Sequence, residues 1–85
     1  MENREKEFLQ QVGEKLAMRR KQINMKEETM ANNTGLSQAT INKIECGRNE
    51  GVKLTTIRKM MGQLKMNWSE LPPPYYMILN ITTFL

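Results

Sequence analysis

The stretch from residue 25 to residue 48, MKEETMANNTGLSQATINKIECGR, constrains the fold of this chain most strongly. Gly35 separates two segments with helical patterning, and glycine adopts a positive φ at little cost, so a tight turn is predicted there. Leu36 should anchor the turn in a core, and the hydroxyl of Ser37 should cap the helix that follows. The stretch therefore predicts two short helices joined by a tight turn.

The second of these helices is predicted over residues 38–46. Ile41 and Ile44 should enter the core, because positions three apart share a helix face. At about 100° per residue, the side of the helix opposite these two isoleucines is mainly polar, and Cys46 is the last residue on it. An amide can pair with adenine, a methyl group can contact thymine, and Lys can contact guanine or phosphate. The alternative is a solvated polar face on an ordinary helix. The candidate base contacts are Gln38, Ala39, Thr40, Asn42 and Lys43.

The spacing of residues across this stretch resembles the helix-turn-helix of the phage repressor and Cro family, also called the Xre family. The resemblance extends over residues 12–71 and is densest over residues 20–47. It implies an all-α, repressor-like domain of four to five helices that binds double-stranded DNA. The residues that carry it are Met25, Glu27, Met30, Ala31, Gly35, Leu36, Ser37, Gln38, Ile41, Ile44, Glu45 and Gly47.

The resemblance also assigns roles outside the second helix. An Arg at the position of Arg20 pairs in this family with the acid that matches Glu45, which implies a partly buried structural ion pair. The loop after Gly47 follows the DNA backbone in relatives, and the start of the first motif helix is a further place where phosphate can approach. The expected backbone contacts are Lys26, Ser37, Arg48, Asn49 and Lys53.

Two features depart from the family pattern. Family members usually carry Gln where Glu27 stands, and that Gln contacts phosphate and braces the residue that matches Gln38. A carboxylate is repelled by phosphate, although it suits a helix N-terminus. The role that remains for Glu27 is to brace Gln38. The loop over residues 48–53 also lacks the Pro that relatives often have there.

Charge is concentrated in the middle of the 85-residue chain. The net charge is +4, but residues 15–65 carry 11 basic residues and four Glu, whereas the flanks are net −2 and −1. A basic centre fits a nucleic-acid partner, with ordinary solubility charge as the alternative. One Cys, no His and no Asp cannot form a usual metal cluster or nucleophile–base pair, so we predict no enzymatic activity, no cofactor and no metal site.

The sequence also bears on where the protein works. The N-terminus is charged and lacks an apolar run, so no signal peptide is visible, and no apolar stretch reaches membrane-spanning length. A single Cys suits a reducing compartment. We therefore expect a cytoplasmic protein with no membrane partner.

Apolar residues recur at helical spacing on both sides of the motif. Before it they predict a helix over residues 4–22, ended by Asn24 in the left-handed conformation, with Gly13 allowing close packing. After it they predict a helix over residues 53–65 and a short helix through residues 68–71, capped by Asn67 or Ser69. The predicted core positions in these helices are Phe8, Leu9, Val12, Leu16, Leu54, Ile57, Met60, Met61 and Leu64.

The C-terminal segment differs from the helical part, which gives two predicted regions, 1–71 and 72–85. Three prolines at residues 72–74 end helical structure, and the uncharged run YYMILNITTFL over residues 75–85 predicts a strand. A lone apolar strand must be paired or covered. Pairing with the same strand of a second chain is favoured; folding back onto its own helices and binding a different protein are the alternatives.

Together these features imply a sequence-specific transcriptional regulator, expected to be a repressor. It would bind a near-palindromic operator as a homodimer, with the recognition helices about 34 Å apart in successive major grooves. Within this class, a controller protein of a restriction–modification system is a further candidate. The alternative is an antitoxin-type protein that neutralises a partner such as a toxin and autoregulates its operon.

Overall fold

Four α-helices and one 3₁₀ turn follow one another in the computed structural model, which describes residues 3–48 and 51–71. The helices are α1 (Asn3–Gln22), α2 (Glu27–Thr34), α3 (Gln38–Glu45) and α4 (Leu54–Leu64), and the 3₁₀ turn is Trp68–Glu70. This part of the chain is all-α, as predicted. The predicted C-terminal strand lies outside the described residues. None of the described helices combines the length and the apolarity needed to cross a membrane.

Local sequence explains where the helices begin and end. Asn24 has a φ of 58° and ends α1, and Gly35 has a φ of 76° and donates its N–H to the carbonyl oxygen of Ala31 at 3.0 Å. Ser37 caps α3, because its Oγ accepts the N–H of Thr40 at 3.1 Å. The three predictions made from these local signals are confirmed.

The helices enclose one apolar core. α3 and α4 each pack against both α1 and α2. Three predicted core positions are not buried: Leu54 is 47% exposed, and Phe8 and Leu9 are half-buried, with Phe8 packed against the core. Helical spacing gives the direction of a side chain but not how far the neighbouring helices extend beside it. The buried apolar residues are Val12, Leu16, Met30, Ala31, Ile41, Ile44, Ile57, Met60, Met61, Leu64 and Leu71.

The chain leaves α4 through a left-handed residue and closes with the 3₁₀ turn. Lys65 has a φ of 55°, and the Arg19 Nε–H donates to the carbonyl oxygen of Leu64 at 3.1 Å, which holds the end of α4 against α1. The backbone N–H of Asn67 donates to Glu70 Oε2 at 2.6 Å. The short final helix is therefore confirmed as a single turn, and it places Leu71 in the core.

Candidate nucleic-acid interface

A two-bond ion pair holds α3 against α1. Arg20 Nε donates to Glu45 Oε2 at 2.6 Å and Arg20 Nη2 donates to Glu45 Oε1 at 2.9 Å, while Arg20 Nη1 donates to the Met25 carbonyl oxygen at 2.7 Å. The two side chains are only 11% and 6% exposed. The hydrogen bond to Glu45 raises the pKa of Arg20 above its ordinary value, so the guanidinium stays charged. The predicted pair is confirmed, and it sets the position of the polar face of α3.

The side of α3 that points away from the core carries the predicted base-contact residues. Ile41 and Ile44 are 0% and 3% exposed, which settles the rotation of the helix. Thr40 is half-buried, and its Oγ1 accepts a hydrogen bond from Ser37 Oγ at 2.8 Å. The remaining candidates are exposed side by side along one face: Gln38, Ala39, Asn42 and Lys43.

Asn42 lies at the centre of a small hydrogen-bonded group on this face. Its Nδ2 donates to Glu27 Oε2 at 3.4 Å, and its Oδ1 accepts from Arg48 Nη2 at 3.3 Å. Because a carboxylate accepts and a guanidinium donates, the two partners determine which way the amide of Asn42 points. Both bonds are long and exposed, so each is weak, and a ligand with better geometry could replace either.

The sequence predicts Gln38 as the partner of Glu27, but the structure pairs Glu27 with Asn42. Asn42 lies one turn beyond Gln38 on the same side of α3, so a partner expected at the first position can instead meet the second. The four-residue spacing of Gln38 and Asn42 places both on one side of α3. Only the packing of α2 against α3 decides that Asn42 is the partner of Glu27.

The predicted backbone contacts are distributed around this face. Arg48 is exposed and reaches Asn42, whereas Lys26 and Lys53 are exposed N-cap residues of α2 and α4. Among the described residues, the hydrogen bonds join neither Lys26 nor Lys53 to the group at Asn42. The hydroxyl of Ser37 is occupied in capping α3. Asn49 lies outside the described residues.

Comparisons of the chain with protein-family models, with curated proteins and with solved structures give no significant match. A functional assignment therefore depends on the geometry of the chain itself. That geometry is an exposed polar helix face, set by a buried ion pair and bordered by basic side chains. Such a face can donate and accept hydrogen bonds in the plane of base edges and can contact phosphate oxygens.

Proposed function

We propose that this chain is a sequence-specific double-stranded DNA-binding regulator of transcription, acting as a repressor of the phage repressor and Cro type. The observation that carries the proposal is the row of exposed polar residues along α3, opposite the two isoleucines buried in the core. These residues are Gln38, Ala39, Asn42 and Lys43.

The dimensions of α3 support this proposal. An α-helix with its side chains is about 10–12 Å in diameter, and the major groove of B-DNA is about 12 Å wide, so α3 can enter the groove. Its eight residues extend over about 12 Å, and its exposed face can lie against base edges. Gln38 and Asn42 lie one turn apart and would meet neighbouring bases, while Ala39 offers a methyl group. The order of helices, with α2 joined to α3 by a tight turn at Gly35, supports a repressor-like fold.

Charge supports the same partner. Lys26 and Arg48 are exposed at the start of α2 and just after α3, so they can contact phosphates on either side of a groove that holds α3. Such contacts supply affinity without selecting a sequence. Selection of a sequence is assigned to the side chains of α3.

Recognition of a near-palindromic operator requires two copies of α3 about 34 Å apart. We assign the contact between the copies to residues 75–85, on the sequence grounds given above. An antitoxin-type protein would bind its partner through this segment or through an acidic N-terminal surface, so the alternative function can use the same residues.

The test is selection of bound duplexes from a random-sequence library, followed by fluorescence anisotropy on the enriched duplex and on a scrambled one. We expect an enriched inverted repeat that binds at least tenfold more tightly than the scrambled duplex. The double variant Gln38→Ala with Lys43→Ala should lose this preference. A matched control, Thr55→Ala with Lys59→Ala on the exposed side of α4, makes the same change in charge and should keep it.

Two outcomes would contradict the proposal. Binding with equal affinity to every duplex would remove the sequence-specific role. Absence of binding to any duplex at low salt would remove the DNA-binding role altogether and leave the partner-neutralising alternative as the better account.

A further inference from the structure

A cleft lies between the first turns of α1 and the chain that leaves α3. The described residues that line it are Lys6, Gln10, Gly47 and Arg48. Its volume is ≈ 260 Å³, several times the roughly 30 Å³ that one water molecule occupies in the liquid, so a phosphate group can enter with part of its hydration shell. Two of its four described lining residues are cationic, one is an amide, and none carries a carboxylate.

Gly47 makes this cleft possible. It has a φ of 71°, and a Cβ at this position would lie 2.7 Å from the Cα of Gln10. The glycine therefore ends α3 and allows α1 to approach the turn closely. Lys6 lies four residues before Gln10, on the same face of α1, and is brought to the same side as Arg48 by this approach.

The backbone around Arg48 is held in place. Gly47 donates its N–H to the Ile44 carbonyl oxygen at 3.0 Å, and Arg48 donates its N–H to the Lys43 carbonyl oxygen at 2.9 Å. The guanidinium of Arg48 reaches Asn42 on the exposed face of α3. The cleft is therefore continuous with the candidate nucleic-acid interface, and Arg48 belongs to both.

Two cations that line one cleft repel each other unless an anion lies between them. Arg presents a planar fork that matches two phosphate oxygens, and Lys adds a compact charge that can approach from the other side. The side-chain amide of Gln10 can donate to a further oxygen. The combination suits a phosphodiester, whose non-bridging oxygens are anionic and accept hydrogen bonds.

We propose that Lys6, Gln10 and Arg48 form a binding site for one phosphodiester of the DNA backbone. The proposal rests on the proposed function and extends the interface beyond the helix-turn-helix to the start of α1. A phosphate at this cleft would fix how far α3 advances into the groove, because the cleft is joined to the C-terminal end of α3.

The test compares the full-length protein with its Lys6→Gln and Lys15→Gln variants, using fluorescence anisotropy on a mixed-sequence 20-base-pair duplex. The two lysines are nine residues apart on α1, which places them on opposite faces about 180° apart, and both are exposed. Both variants therefore make the same change in charge. Because the contact is to the backbone, no operator is needed.

We expect Lys6→Gln to weaken binding several-fold and to lower the slope of log K against log[salt] by about 0.9, the value for one phosphate contact. Lys15→Gln should leave the slope unchanged, and Lys6→Arg should preserve both affinity and slope. Gln10→Glu should also weaken binding relative to the wild type, because it places a carboxylate beside the phosphate. Circular dichroism of each variant checks that the helices are intact.

The outcomes separate this proposal from the proposed function. If the wild-type protein binds the duplex and Lys6→Gln behaves like Lys15→Gln, the cleft is not a phosphate site, while DNA binding stands. If no duplex is bound, both proposals fail. An NMR titration with inorganic phosphate alone separates the two sources of phosphate. If free phosphate saturates the cleft at the same concentration of phosphate groups as the duplex does, the ligand is a free anion and not the DNA backbone.

Discussion

Gly13 of α1 lies directly against the backbone of Glu45 at the end of α3. A Cβ on Gly13 would stand 2.7 Å from the Glu45 carbonyl oxygen, and the carbonyl oxygen of Ile44 lies even nearer to that position. The two helices therefore cross where α1 has no side chain. The same end of α3 carries the ion pair to Arg20, so one short region determines how the candidate interface is held.

Gly13→Ala should destabilise the protein. Alanine favours a helix over glycine by about 0.5–1 kcal/mol, but the overpacking against two backbone carbonyls costs about 1–3 kcal/mol, and backbone atoms cannot move aside as a flexible side chain can. The matched control is Gly62→Ala in α4, where a Cβ meets nothing within 4 Å. It should stabilise the protein by about 0.5–1 kcal/mol. Urea unfolding followed by circular dichroism measures both, and equal effects would contradict the close crossing.

Glu45→Gln should lower the free energy of unfolding by about 3–5 kcal/mol, because it leaves the buried charge of Arg20 without its anion. Glu14→Gln, an exposed change of the same kind on α1, should stay within about 0.5 kcal/mol of the wild type. Replacing both partners with Arg20→Met and Glu45→Leu should recover most of the loss, since no buried charge remains. A double variant as unstable as the single one would show that the pair does not act as a pair.

Gln38→Ala should reduce binding to the selected operator by about 1–3 kcal/mol and barely change binding to a scrambled duplex. The reason is that Gln38 is exposed at the start of α3, where an amide meets base edges. Arg48→Ala is the informative comparison, because a backbone contact should weaken every duplex alike and lower the salt slope by about one unit. Anisotropy at several salt concentrations measures both variants. Equal losses for Gln38→Ala on all duplexes would move it from base contact to backbone contact.

The sequence predicts that residues 75–85 join two copies of the chain. Equilibrium sedimentation should give a dimer for the full chain and a monomer for a chain that ends after Pro74. Circular dichroism should show the same helical signal per helical residue in both. A dimer in both cases would move the contact to the helices, and a monomer in both cases would contradict the homodimer.

Much of the fold follows from neighbouring residues. Asn24, Gly35 and Ser37 act within a few residues of chain, so their effects on helix ends are visible in the sequence and are confirmed by the backbone angles and the cap. The buried positions of Ile41 and Ile44 follow from helical spacing alone. The ion pair between Arg20 and Glu45 joins residues 25 apart in the chain, and it was accessible only through the family resemblance.

Tertiary packing decided the remaining features of the candidate interface. Helical periodicity places Leu54 on the apolar stripe of α4, yet the neighbouring helices leave it 47% exposed. Likewise, Glu27 meets Asn42 rather than Gln38, and Lys6 comes to line a cleft with Arg48. The helices, their caps and their apolar faces can be predicted from the sequence, because they depend on interactions within a few turns. Which polar side chains meet was determined by how closely and at what angle the helices cross, and that is a property of the packed core.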